Sequence, residues 1–233
     1  MKLLVTRPVE DAAPLAAKLE TLDHEAIIIP LLAIVPRDNV ELPIAPVQAL
    51  CVSSANGLAG KRDFTRFLEL PFFAIGPQSA LEARHKGFTH VHDKGGNVEG
   101  LVRHITKSAK PGDGPILYLS GSETTGDIEG KLKAQGFTVI RTIVYDAEPC
   151  DVPGLAAQLA EVDGVLLYSP RTAKLWLKQL EKAGLLAVAQ KLVHFCLSAN
   201  VAASLPQNWL KRTAPTPDEN GMLAALDRQD EAE

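Results

Sequence analysis

Short apolar runs alternate with stretches of helical periodicity along the chain, and this order occurs twice. Residues 3–32 and residues 116–145 each begin with an apolar strand, pass through a helical stretch with Lys-Leu at matching places, and end in a second apolar strand. A second pair of segments repeats likewise: residues 50–53 match 166–169, and residues 73–76 match 195–198. The pattern predicts an α/β fold of two similar domains, each a parallel β-sheet flanked by helices.

The helical stretches begin near good capping residues and end at glycines. A first helix is predicted from the spacing of Ala12, Leu15 and Leu19. Further helices are predicted over residues 78–86, from Asn97 onward, and over residues 127–135, 172–182 and 222–226. Asn is a favoured N-cap, and Gly87, Gly136 and Gly184 are placed to end helices.

Two proline-rich linkers, at residues 36–46 and 147–154, suggest where one domain passes into the other. We expect a discontinuous domain of residues 1–33 plus 150–233, a second domain of residues 37–143, and a two-stranded linker at 34–36 and 144–149. A simple tandem of residues 1–110 and 111–233 is the alternative, which the linker positions favour less. Two such domains would leave a cleft, where ligands usually bind.

Composition narrows the class of protein. The 233 residues are 46% hydrophobic, with a net charge of −4 and no basic stretch, so a nucleic-acid partner is not expected.

No run approaches the roughly 18 apolar residues that a membrane span requires. Arg7 interrupts the first apolar run too early for a secretory signal, and we expect a cytoplasmic protein. Cys51, Cys150 and Cys196 are an odd number and widely spaced, and they are expected to be buried core thiols. A monomer is the simplest expectation, because no apolar surface stripe is evident.

The turns that follow the predicted strands are rich in small polar residues. Because the carboxyl ends of parallel strands meet at one edge of a sheet, these turns are expected to bind ligand there. Main-chain N–H groups at helix N-termini favour anions, so the ligand is expected to carry several negative charges. The alternative is that these residues act only as caps and turns. The candidate binding residues are Arg7, Ser53, Ser54, Asn56, Gly76, Ser79, Ser120, Gly121, Ser169, Arg171 and Ser198.

Motifs for nucleotides and metals are missing from the sequence. Gly76-x-x-Ser79 is not a Walker loop, and no strand is followed by G-x-G-x-x-G. His90 and His92 have no obvious third ligand, and alternation on an edge strand explains them better than a metal site. We therefore expect neither a metal nor a cofactor.

Tyr145 follows the apolar run of residues 142–144 at the proposed linker. Its phenol is the best candidate for a catalytic group, because it could donate a hydrogen bond or pass a proton to a ligand. The alternative is a half-buried strand aromatic.

Several short motifs occur in a specific order over most of the chain. They are Leu4-Val5-Thr6-Arg7-Pro8, Ser53-Ser54-Ala55-Asn56-Gly57, Ala74-Ile75-Gly76-Pro77-Gln78-Ser79-Ala80, Gly87-Phe88, Asn97-Val98-Glu99-Gly100-Leu101, Val144-Tyr145, Tyr168-Ser169-Pro170 and Pro215-Thr216-Pro217. Together they resemble the uroporphyrinogen-III synthase family. The chain departs from it in having Ser198-x-x-Val201 where many members have Gly-x-x-Thr, and Ser120-Gly121 where relatives often have Arg-Gly.

The resemblance implies a lyase whose substrate is the linear tetrapyrrole hydroxymethylbilane. The enzyme would close it to uroporphyrinogen III with inversion of the last pyrrole ring and loss of water, without a cofactor. Tyr145 would assist departure of the hydroxyl group, while Arg7, Arg171 and the serine turns would hold carboxylates. A cytosolic two-domain regulator that binds an anionic metabolite is the alternative function.

Overall fold

A computed structural model describes residues 1–93, 96–124 and 126–227. The chain divides into two compact units: unit 1 is Met1–Ala33 with Glu148–Glu233, and unit 2 is Ile34–Ala147. Both units contain parallel strands with helices between them, so the predicted α/β class is confirmed.

The described residues form two sheets. The strands are β1 (Lys2–Val5), β2 (Glu25–Ile28), β3 (Leu32–Pro36), β4 (Ala49–Val52), β5 (Phe72–Ala74), β6 (Val91–His92), β7 (Ile116–Gly121), β8 (Val139–Pro149), β9 (Gly164–Leu167), β10 (Val193–Cys196) and β11 (Lys211–Thr213). The helices are α1 (Val9–Glu20), α2 (Pro77–His85), α3 (Val98–Ser108), α4 (Ile128–Ala134), α5 (Leu155–Leu159), α6 (Pro170–Ala183), α7 (Leu186–Ala189), α8 (Ala199–Ala202) and α9 (Glu219–Leu226).

The predicted helices are confirmed, and their ends follow the expected chemistry. The Asn97 side chain accepts a hydrogen bond from the Gly100 N–H at 2.8 Å and caps α3. Gly184 ends α6 in the left-handed conformation, with φ of 69°. The last helix, α9, begins earlier than predicted because Asp218 caps it by accepting from the Gly221 N–H at 2.8 Å.

Unit 1 is built on a sheet with strand order β11-β10-β9-β1-β2. Its strand pairs are parallel. Leu4 packs into one apolar layer with Trp176, while Leu3 and Val5 pack into the opposite layer with Phe195. Both faces of the sheet are therefore buried, as parallel sheets require.

Unit 2 is built on a sheet with strand order β3-β8-β7-β4-β5-β6. The pairs from β8 to β6 are parallel. At the edge, the Arg37 N–H donates to the Val144 carbonyl at 2.8 Å. Strand β6 forms the opposite edge, as the alternation of His90 and His92 predicts, and the His92 ring stacks on Phe73 with centroids 4.9 Å apart.

All three cysteines are free thiols. Cys51 and Cys196 are buried, as predicted, whereas Cys150 is only half-buried. Burial raises the pKa of the Cys51 thiol. Among the described residues, no helix is both long and apolar enough to cross a bilayer.

A buried histidine ties β10 to its neighbours in unit 1. His194 is fully buried; Trp176 Nε1 lies 3.3 Å from its Nε2, and the Leu210 carbonyl lies 3.3 Å from its Nδ1. Because a carbonyl can only accept and an indole N–H can only donate, the ring is neutral with its proton on Nδ1. Burial lowers the pKa of His194 to about 4.

We expect His194 to make the protein less stable as the pH falls. Because its pKa is about 4 in the fold and near 6.5 when unfolded, the unfolded state binds more protons in that window. This stabilisation is complete above pH ~6.5 and declines by up to about 1.4 kcal/mol per pH unit on acidification. The measurement is urea unfolding from pH 4 to 7. His194→Gln, which keeps an acceptor for Trp176, should lose this part of the slope, and equal slopes would contradict the prediction.

We expect Gly164→Ala to destabilise unit 1. A Cβ at Gly164 would lie 2.7 Å from the Val193 carbonyl oxygen and 2.8 Å from the Phe195 ring. Forcing such overlap into a packed sheet costs about 1–3 kcal/mol. Urea midpoints would measure the loss. Gly112→Ala is the matched control, since nothing lies within 4 Å of its added Cβ; equal midpoints for the two variants would refute the steric argument.

Candidate active site

The carboxyl ends of the parallel strands lie at one edge of each sheet. In unit 2, residues at or after the ends of three neighbouring strands lie at this edge: Ser53, Ser54 and Asn56 after β4, Gly76 and Ser79 after β5, and Ser120 and Gly121 at the end of β7. Tyr145 lies within the next strand, β8, where it is paired with Gly121. In unit 1 it gathers Arg7 after β1, Ser169 and Arg171 after β9, and Ser198 after β10. Each unit thus brings its own predicted residues to one edge.

The turn after β4 is a 3₁₀ turn at Ala55–Leu58 that the Ser54 hydroxyl caps by accepting from the Asn56 N–H at 3.2 Å. The Asn56 side chain is buried. The Ser53 Oγ lies 3.3 Å from the Tyr118 phenol oxygen, and burial raises the pKa of Tyr118. Ser54 therefore acts as a cap, and Ser53 already has a phenol partner within unit 2.

The turn after β5 leaves open space at the start of α2. Gly76 has extended backbone, with φ of −141°, and nothing lies within 4 Å of a Cβ added there. The Ser79 side chain, one turn into the helix, is buried at 6% exposure. The first backbone N–H groups of this nine-residue helix have no partner within the helix, and Gly76 adds no side chain beside them.

Ser120 and Gly121 are the last two residues of β7, directly before the turn in which they were predicted. The strand continues because β8 runs alongside it through this point. Ser120 is 1% exposed; its hydroxyl donates to the Gly121 carbonyl at 3.0 Å and accepts from Arg141 Nε at 2.9 Å. These contacts occupy the Ser120 side chain within the sheet.

Tyr145 lies within β8, which extends from Val139 to Pro149. The residue is 8% exposed and belongs to an apolar layer that includes Val52 and Leu58. Its ring lies over Gly121, where an added Cβ would be 2.7 Å from Cε2 and 3.1 Å from the phenol oxygen. The tyrosine is thus a packed aromatic whose ring position depends on a glycine.

Arg7 is paired with protein carboxylates in unit 1. Its guanidinium lies 3.5 Å from Asp11 and 3.3 Å from Glu219, and 4.8 Å from the Tyr168 ring centroid. Burial raises the pKa of Asp11, although the Arg7 charge opposes that shift. Burial also raises the pKa of the Tyr168 phenol. A ligand carboxylate at Arg7 would compete with Asp11 and Glu219.

The other two turns of unit 1 differ from each other. Ser169 and Thr172 form a capping box at the start of α6, in which the Ser169 hydroxyl accepts from the Thr172 N–H at 3.0 Å. Arg171 is half-buried in the first turn of the same helix. Ser198 precedes the four-residue α8 and makes no side-chain cap. Capping therefore explains Ser169, while it does not explain Ser198.

Two arginines near the unit 2 edge were not singled out from the sequence. Arg141 donates to Ser120 and also, through Nη2, to the carbonyls of Gly121 at 2.9 Å and Ser122 at 3.1 Å. Arg62 Nη2 donates to the Val144 carbonyl at 2.6 Å. In the sequence, Arg141 is the single charged residue within the run 137–145, and this feature could have marked it as a candidate.

A metal site is not evident. Within residues 1–93, 96–124 and 126–227, no group of three or more His, Cys, Asp or Glu side chains is placed to hold an ion.

Comparisons with known proteins give the family. The model of the family described as uroporphyrinogen-III synthase HemD matches residues 13–224. A search of curated proteins found no match. The crystal structure of uroporphyrinogen-III synthetase from Helicobacter pylori is 15% identical, with a TM-score of 0.64 over 97% of this chain and 98% of that one.

A mutant uroporphyrinogen III synthase from Thermus thermophilus is 16% identical over 98% of this chain and 100% of that one, and its TM-score of 0.48 is too low for an inference. The Helicobacter structure, at its low identity, shows a shared fold. The family match spans most of the chain, which confirms the predicted family and the predicted enzyme class. The chain therefore belongs to the uroporphyrinogen-III synthase family, a family of cyclising lyases in the tetrapyrrole pathway.

Proposed function

We propose that this chain binds hydroxymethylbilane and closes it to uroporphyrinogen III with inversion of the last ring and loss of water. The match of the family model to residues 13–224 is the observation that carries the proposal. The edges of small polar residues in the two units agree with a substrate that carries many carboxylates. A monomeric state and a cytosolic location stay predictions.

We propose that substrate carboxylates bind at the helix starts that follow β5 and β9. The open space at Gly76 leaves the N-terminus of α2 accessible to an anion. Arg171 adds a guanidinium to the first turn of α6, and this group suits a carboxylate. Arg7 already pairs with Asp11 and Glu219, so a substrate carboxylate there would compete with them.

The reaction requires positioning more than a strong base. When the terminal C–O bond breaks, the pyrrole nitrogen lone pair supplies the electrons, and the hydroxyl takes a proton to leave as water. The terminal methylene carbon must then bond to the substituted carbon of the last ring, which gives a spiro intermediate. The bond from that ring carbon to its original methylene bridge breaks, and the bridge carbon bonds to the free carbon of the same ring, which loses a proton. Direct closure gives the unwanted isomer, so the protein must hold the chain in the folded geometry. We assign Tyr145 as the hydrogen-bond donor to the departing hydroxyl.

The alternative, a regulator that only binds an anionic metabolite, receives no support from the family match. The isomer composition of the product separates the two functions. An enzyme converts fresh hydroxymethylbilane to the type III isomer, whereas a binding protein leaves the spontaneous type I product. Chromatographic separation of the oxidised porphyrins measures this directly.

We expect Tyr145→Phe to lower turnover by roughly 10- to 1000-fold, the range of a lost acid–base contact. The variant keeps the ring over Gly121 and removes only the hydroxyl. Initial rates of type III formation measure it. Tyr118→Phe is the comparator, since it removes the other phenol described in unit 2, which lies beside the Ser53 hydroxyl. A rate for Tyr145→Phe equal to wild type would exclude the phenol from the mechanism.

We expect Arg171→Gln to raise KM by about 10-fold with a smaller change in kcat, because a charge-assisted hydrogen bond contributes about 1.5–3 kcal/mol. Lys174→Gln is the matched control: it removes one positive charge from an exposed position of the same helix. Steady-state kinetics of both variants at fixed ionic strength provide the comparison. An equal KM for the two variants would assign the effect to general charge and remove Arg171 from the site.

A further inference from the structure

The pairing of β7 and β8 shifts beside Tyr145. Tyr118 lies opposite Arg141 and Ser120 opposite Ile143, but the next pair is Gly121 with Tyr145. Val144 is therefore an extra residue, a β-bulge. Alternation of side chains is broken there, and Val144 and Tyr145 are both buried. The bulge is what brings the Tyr145 ring opposite Gly121.

Arg141 holds the β7 side of the bulge. Its guanidinium makes three hydrogen bonds to consecutive residues of β7 and the turn after it: to the Ser120 hydroxyl at 2.9 Å, the Gly121 carbonyl at 2.9 Å and the Ser122 carbonyl at 3.1 Å. Arg141 precedes the bulge by three residues and is half-buried. The planar guanidinium group therefore fixes the end of β7, against which the Tyr145 ring packs.

The other side of the bulge is held by different groups. The Val144 carbonyl accepts from the Arg37 N–H at 2.8 Å and from Arg62 Nη2 at 2.6 Å. The Tyr145 carbonyl accepts from the Ser122 N–H at 3.1 Å. The backbone on both sides of the phenol-bearing residue is thus fixed, and Ser122 is shared between Tyr145 and Arg141.

We propose that Arg141 is a positioning residue for the reaction. By holding Ser120, Gly121 and Ser122 in place, Arg141 fixes the β-bulge and thereby the position of the Tyr145 phenol. The proposal rests on the function proposed above, in which Tyr145 donates to the departing hydroxyl. A displacement of about 1 Å in a catalytic group can cost up to ~100-fold in rate. A lysine cannot reproduce the three hydrogen bonds of the planar guanidinium group, because its ammonium is a single point of charge on a flexible chain.

The test is a double-mutant cycle of Arg141→Lys and Tyr145→Phe. We expect Arg141→Lys to lower kcat by about 10-fold with KM within about twofold, as expected of lost positioning. In the Tyr145→Phe background the same change should have little further effect, because the group that it positions is gone. Arg103→Lys is the control, since Arg103 is an exposed arginine of α3 in the same unit.

A spectroscopic readout accompanies the kinetics. The chain has only three tyrosines, so ¹³Cζ-tyrosine labelling gives three resonances, and Tyr145→Phe identifies the one of interest. We expect that resonance to move in Arg141→Lys while the resonance of Tyr168, in unit 1, stays in place. If Arg141→Lys does not fold, Gly121→Ala displaces the same ring from the other side and replaces it in the cycle.

Several results would overturn the proposal: an unchanged kcat in Arg141→Lys or in Tyr145→Phe, an effect confined to KM, or losses that multiply in the double variant. A failure of the proposed function gives a different result: the wild-type protein then yields only the type I isomer. In that case an unmoved Tyr145 resonance in Arg141→Lys overturns the positioning role, and a moved one supports it.

Discussion

Parallel strand pairing is the constraint on which the rest of this structure depends. A parallel pair needs a crossover, so most of the strands are followed by a turn and a helix, and the carboxyl ends of the parallel strands meet at one edge. In unit 2 that edge collects residues from β4, β5, β7 and β8, which are distant in sequence. The small polar residues at those positions come to one edge only through this pairing.

Much of the fold could be predicted because local signals and burial agreed. Asn97 at the start of α3 and Gly184 at the end of α6 act as their residue types suggest. The site was harder to predict, since the same residue types serve as caps and as ligands. Ser54 and Ser169 are caps in the structure, and no periodicity in the sequence distinguishes them from Ser198.

The features missed by the sequence are those that depend on register. The sequence predicted Tyr145 after an apolar run at the linker, but a one-residue bulge gives no signal in such a run, so its pairing with Gly121 was not predicted. Ser120 was expected in a turn, whereas Arg141 from the neighbouring strand holds it inside the sheet. Arg7 carried a similar ambiguity: an arginine after a strand reads as an anion site until Asp11 and Glu219 are seen beside it.

We propose that hydroxyl- and amide-lined strand ends hold a flexible polyanion in a geometry that it does not adopt alone, and that a packed tyrosine assists its dehydration. The most direct measurement is the ratio of type III to type I uroporphyrinogen formed from hydroxymethylbilane with and without the protein. The account predicts that type III dominates when the protein is present. A ratio identical to that of buffer would contradict it.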